Sequence, residues 1–219
     1  MKTIIKIAFP LILAGSLIIS SSFRGNPEKN AQVVVPMGTF ATYQDYQKKN
    51  LVIYDEIKLG HGGYKGVLKG KKVSGAYKSA DFWGAESEDG VFYRVNKKAN
   101  IAPQIISNAK ICFYAGMELS VSRFYDGSVK SVDLVNVDKG TKFSELFWIS
   151  AGGEGDMIAA SMDNLATLMA DSPDLVTKMK AKGIEEKNAD KWFDNITNIS
   201  GWIKDYETLH TAAATTPAK

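Results

Sequence analysis

Lys110-Ile111-Cys112-Phe113-Tyr114-Ala115 carries no charge after its first residue. Neighbouring side chains in a strand point to opposite faces of a sheet. A sheet with one wet face alternates apolar and polar residues, and this stretch does not. A strand over 110–115 must therefore be covered on both sides. Four further aromatic doublets repeat the pattern: Phe82-Trp83, Phe92-Tyr93, Phe124-Tyr125 and Phe147-Trp148. Each doublet, placed in a strand, sends one ring to each face.

Outward from this stretch, residues 51–150 read as β. The expected strands are 51–58, 64–69, 72–78, 82–87, 91–96, 110–115, 118–125, 129–137 and 144–149. Gly70 with its lysine neighbours, Asp89-Gly90 and Asp126-Gly127 mark turns, since these residues accept the positive φ of tight hairpins. Upstream, Thr42-Tyr43-Gln44-Asp45 resembles a capping box, with Asp in place of the usual Glu, and predicts a short helix over 43–49. Val33-Val34-Val35 suggests a further edge strand.

Past Gly152-Gly153-Glu154-Gly155 the period changes. Met157, Ile158, Ser161, Leu165, Leu168 and Met169 fall on one helical face. Ser172-Pro173-Asp174 starts a second helix and Gly183 ends it. Trp192, Phe193, Ile196, Ile199, Ile203 and Tyr206 form the apolar stripe of a third. The expectation is an α+β protein: an antiparallel β-meander, barrel-like or sandwich-like, with C-terminal helices packed on it. Its parts are a signal peptide (1–22), a leader (23–39), a β-rich domain (40–150), a helical part (151–207) and a flexible tail (208–219).

The first 22 residues carry the export reading. Lys2 and Lys6 precede an uncharged apolar run from Ile7 to Ile19, and Ser20-Ser21-Ser22 offers small residues for a peptidase. That run is shorter than the ~20 residues a spanning helix needs. No cysteine follows it, so a lipoprotein is not expected. The mature chain is expected to be periplasmic or secreted, with no transmembrane segment.

Composition narrows the partners. Hydrophobic residues make up 45% and aromatics 11%, which suits a packed core rather than disorder. Without Lys2 and Lys6 the chain has 25 basic and 24 acidic residues, so no global charge draws it to nucleic acid. Charge is instead segregated. Lysines 58, 65, 69, 71, 72 and 78 lie between Ile57 and Ala80 with no acid among them. Such a hairpin is compatible with a polyanionic ligand through Lys69, Lys71 and Lys72, or with a solvated edge that discourages strand pairing.

Catalytic signals are sparse. The only histidines are His61, in a Gly-rich loop, and His210 near the C-terminus; Cys112 is the single cysteine. A Cys112–His61 couple is the one nucleophile–base pair on offer, against the commoner reading of Cys112 as a buried structural thiol. No zinc spacing, phosphate loop or nucleophile elbow is present in the sequence, and no cofactor is expected. Trp83, Tyr93, Tyr114, Tyr125 and Trp148 are candidate rings for a platform that takes an apolar or sugar ligand, with burial in two cores as the plainer alternative.

Several stretches also occur in a suggestive order: Thr42-Tyr43-Gln44-Asp45-Tyr46, Gly62-Gly63-Tyr64-Lys65, Phe82-Trp83-Gly84, Asp89-Gly90-Val91-Phe92-Tyr93-Arg94, Asp171-Ser172-Pro173-Asp174-Leu175 and Trp202-Ile203-Lys204-Asp205-Tyr206. Over about residues 40–207 this order resembles a group of uncharacterised exported proteins of Bacteroidetes-type bacteria. The resemblance implies one structural unit behind an export signal. It implies no activity, so no catalytic residue is carried over. The leading expectation is a non-enzymatic binding or structural protein of the envelope or exterior.

Overall fold

The computed structural model describes residues 37–87, 90–116, 119–123, 129–134, 137–138 and 140–215. The expected signal peptide (1–22), the edge strand expected at Val33–Val35, the turn expected at Asp126-Gly127, and Tyr125 lie outside the described residues.

The fold is α+β. Eight antiparallel strands form one sheet: β1 (Gly38–Phe40), β2 (Val52–Ile53), β6 (Gly84–Glu86), β7 (Phe92–Arg94), β8 (Gln104–Ser107), β9 (Ile111–Ala115), β12 (Phe147–Ala151) and β13 (Ile158–Ala159). Their spatial order is β2-β1-β6-β7-β8-β9-β12-β13. Apart from the first hairpin this is a meander with two insertions. One is a three-stranded sheet, β3 (Glu56–Gly60), β4 (Gly63–Leu68) and β5 (Lys71–Ala76). The other is the hairpin β10 (Leu119–Arg123) and β11 (Val129–Leu134). The helices are α1 (Tyr43–Gln47), α2 (Phe143–Leu146), α3 (Met162–Leu168), α4 (Pro173–Lys182) and α5 (Trp192–Thr215).

Strand register shows how both faces are covered. Phe147 pairs with Ala115 and Ile149 with Phe113, so these four share a face. They join Phe143, Leu165, Met179, Trp192, Ile196, Ile199 and Ile203 in the largest core, between the sheet and the C-terminal helices. Phe143 stacks on Phe147 at 4.1 Å, and Trp192 meets both edge-on. Ala85 pairs with Tyr93, and Tyr93 with Gln104, which itself pairs with Ala115. The same face therefore continues to the other end of the sheet, where it meets Ile57, Leu59, Tyr64, Leu68 and Val73 of the three-stranded sheet. At this end the packing is sandwich-like.

The opposite face carries Phe40, Ile105, Cys112 and Tyr114, with Trp83, Phe92 and Trp148 packed against them. It is closed by α1, whose Tyr46 is buried there, and by the loop after β12. Thr42 caps α1 as expected: Asp45 N–H donates to its hydroxyl at 3.1 Å, and Thr42 N–H donates to the Asp45 carboxylate at 3.0 Å.

Several boundaries differ from the sequence reading. The strand expected over 51–58 is broken between Ile53 and Glu56, and its two halves belong to different sheets. Apolar content continues across the break, so hydrophobicity alone does not reveal it. Gly38 opens a strand inside the expected leader because its neighbour Thr39 pairs with both Val52 and Ala85. β8 follows Pro103 and is only four residues long, too short for a periodic signal. Ile158 extends the sheet rather than starting a helix, and α3 begins after Ser161, whose hydroxyl accepts from Asn164 N–H. α5 runs on to Thr215, through residues expected as tail.

Candidate functional site

Arg94 ends β7 and is only 7% exposed. Register turns it away from the three-stranded sheet, towards Tyr114 of β9 and Ser150 of β12. Its Nη1 donates to Tyr114 Oη at 2.8 Å and to Ser150 Oγ at 2.9 Å. Its Nη2 donates to the Gly155 carbonyl at 2.6 Å. Ser150 Oγ in turn donates to the Gly152 carbonyl at 2.6 Å. The serine proton is therefore committed, so Tyr114 donates to Ser150 Oγ across their 2.9 Å contact. Proton direction runs Tyr114 to Ser150 to Gly152, with the guanidinium feeding both hydroxyl oxygens.

Residues 152–155 form a strap over this cluster. Trp83 Nε1 donates to the Gly153 carbonyl at 2.8 Å, so three strap carbonyls face the site. A Cβ on Gly153 would collide with the Tyr43 ring, which explains the missing side chain. Tyr43 is itself held by its hydroxyl on Asn108 Oδ1 at 3.0 Å. The guanidinium carbon lies 5.4 Å from the Tyr114 ring centre and 5.9 Å from that of Trp83, within cation–π range.

Cys112 neighbours this cluster. It is 1% exposed, and its thiol donates towards Asn108 Oδ1 at 3.2 Å and the Ala109 carbonyl at 3.4 Å. Burial pushes its pKa up and outweighs the opposing hydrogen bonds and the pull of Arg94. Burial likewise drives the Tyr114 phenol well above its usual range. Both groups stay protonated near neutrality.

The sequence candidates fall in different places. Trp83, Tyr114 and Trp148 gather with Cys112 on the strap side, whereas Tyr93 packs on the other face, among the three-stranded-sheet contacts. Among the described residues these rings form no exposed row: Tyr114 is 1% exposed, and Trp83, Tyr93 and Trp148 are half-buried. The aromatic doublets do split between faces, Phe113 from Tyr114 and Phe147 from Trp148. The Cys112–His61 couple is not formed. His61 sits at the exposed tip between β3 and β4, on the opposite face of the large sheet from Cys112.

The lysines are also redistributed. Lys69 and Gly70 form the two-residue turn between β4 and β5 with φ of 50° and 73°, the positive values such a turn requires. Lys71 and Lys72 are consecutive in β5 and point to opposite faces. Register instead aligns Lys58 with Lys65, and Val67 with Lys72 and Glu56. Lys58, Lys65 and Lys72 therefore share the outer face. With Val67 and Ser74 they line a groove of about 310 Å³. Glu56 pairs with Lys58 at 2.7 Å.

Sequence reasoning missed Arg94, Ser150 and the strap. The available signal was one basic residue inside the apolar run Val91-Phe92-Tyr93-Arg94-Val95. Among the described residues no cluster of His, Cys, Asp and Glu suits a metal ion. No helix among them is long and apolar enough to cross a membrane. No protein-family model matches the chain, and no curated protein or solved structure matches it.

Proposed function

We propose that this is an exported, non-enzymatic binding protein that takes a polyanionic ligand on the outer face of the β3–β4–β5 sheet. The observation that carries the reading is the alignment of Lys58, Lys65 and Lys72 on one exposed face around the Val67 groove. Lys58 and Lys65 stand directly opposite one another. Like charges in that relation destabilise a strand pair, a cost that an anionic ligand would offset. Glu56 pairs with Lys58, whereas Lys65 and Lys72 have no ion pair among the described residues. The apolar floor suits a ligand with some carbon surface, such as an acidic polysaccharide. The signal-peptide pattern of residues 1–22 and the resemblance to exported bacterial proteins support the compartment.

Heparin chromatography tests the reading. Lys65→Ala with Lys72→Ala is expected to elute at clearly lower salt than the parent, because exposed charge–charge attraction is screened by ions. Lys71→Ala with Lys78→Ala, which removes two charges outside the groove, is the matched control. Unchanged retention of the double variant, or equal loss in the control, would overturn the proposal.

A further inference from the structure

Arg94 is a buried cation whose partners are all neutral. They are a phenol, a serine hydroxyl and a backbone carbonyl, and no carboxylate of the described residues bonds to it. Its Nε is buried with no hydrogen-bond partner. Unpaired buried charge is costly, and a buried donor left without an acceptor adds to that cost. The location of the orphan is informative. Nε and Nη2 form the guanidinium edge that receives a carboxylate through two parallel bonds. Here that edge holds a single carbonyl oxygen, Gly155 at 2.6 Å on Nη2, and nothing on Nε.

An internal carboxylate is close in sequence and unused. Glu154 precedes Gly155 in the strap, yet its side chain is exposed. The strap thus offers Arg94 a neutral backbone oxygen while its own acid faces solvent. Gly152, with φ of 63° and open space around its missing Cβ, is a natural pivot for the strap.

We propose that Arg94, walled by Trp83 and Tyr114, is a carboxylate-binding site, and that the Gly155 carbonyl holds the place of one carboxylate oxygen. Entry of the ligand swings the strap outward about Gly152. Arg94 then exchanges one neutral acceptor for a bidentate anion, and Trp83 Nε1 loses the Gly153 carbonyl. The site is separate from the lysine face, because it lies on the other side of the large sheet.

The test is a titration of the full chain with sodium acetate against sodium chloride at matched ionic strength. It follows the Arg94 Nε–H and Trp83 Nε1–H signals by nuclear magnetic resonance. Acetate is expected to move both signals saturably, with a midpoint on the order of millimolar, and to raise the thermal midpoint. Arg94→Lys keeps the charge but loses the fork, and is expected to weaken the response about tenfold. Arg94→Gln should abolish it. Should Arg94→Gln fail to fold, the lysine variant decides alone. Shifts that are linear and identical in both salts, or an Arg94→Lys titration matching the parent, would overturn the proposal.

Discussion

Phe113 and Tyr114 are adjacent in β9 and end in different cores. Phe113 lies beneath the C-terminal helices, 5.8 Å from Phe147, while Tyr114 bonds to Arg94 on the far side of the sheet. One strand thus serves as the wall between a mainly apolar helix–sheet core and a compartment built around a buried cation. The two sides should respond differently to substitution.

On the helix side the expected response is a large loss from cavity formation. Phe147 is fully buried and is in contact with Phe113, Phe143 and Trp192. Phe147→Ala should cost about 3–5 kcal/mol. With a urea slope of ~1–3 kcal/mol per molar, the unfolding midpoint should fall by about 2 M. A shift of a few tenths of a molar would mean that the helices do not rest on this ring.

The contrast also marks what the residues reveal unaided. Doublets such as Phe113-Tyr114 announce a sheet covered on both faces because strand geometry forces neighbours apart. The covering helices are legible too, from Pro173 at the first turn of α4 and the stripe running from Trp192 to Tyr206. Arg94 is not legible in this way. A basic residue after Phe92-Tyr93 reads as an ordinary strand end until register brings Ser150 and the strap, more than fifty positions away, onto it. The lysines fail for a local reason: consecutive Lys71 and Lys72 look like one patch, but a period of two sends them apart. The break between Ile53 and Glu56 is set by which sheet each half joins, and apolar residues on both sides conceal it.

Two phenols make the fold sensitive to alkali. Burial pushes Tyr77 from the usual 10.0 up to about 12, and it moves Tyr114 in the same direction. Below pH 10 the phenols are protonated in both folded and unfolded chains, and their stabilisation is complete. Above it the unfolded chain releases protons that the native state retains, so stability falls as pH rises towards the folded values. Tyr77 alone should account for roughly 2–3 kcal/mol by the end of that window. Near-ultraviolet tyrosinate absorbance should rise in two stages, with the last phenols ionising only as the chain unfolds. Simultaneous ionisation of every tyrosine near pH 10 in folded protein would contradict the burial.

Cys112 should be inert in the native state. Its thiol is enclosed, its pKa is raised by burial, and the Asn108 side-chain oxygen and the Ala109 carbonyl accept its hydrogen bond. Since the thiolate is the reactive form, iodoacetamide should label the folded protein negligibly at neutral pH and label it fully in denaturant. Rapid labelling of the folded chain would reveal that the strap side opens readily and would return Cys112 to the set of reactive candidates.

The strap itself can be probed by adding a single methyl group. At Gly153 the new Cβ meets the ring of Tyr43, which cannot simply swing away: its hydroxyl is bound to Asn108, and its ring packs 5.2 Å from Trp83 and 6.1 Å from Tyr46. Gly153→Ala must therefore lift the strap and strain the Trp83 bond, for a loss of about 1–3 kcal/mol. At Gly152 the Cβ has open space, and only the positive φ opposes it, so Gly152→Ala should cost less, about 1 kcal/mol. The discriminating measurement is the Trp83 share of the tryptophan emission, isolated from the other three indoles by difference against Trp83→Phe. Gly153→Ala should shift its emission to the red as the indole gains water, while Gly152→Ala should leave it in place. Equal stability losses with no spectral difference would show that Gly153 does not hold the strap down on Trp83.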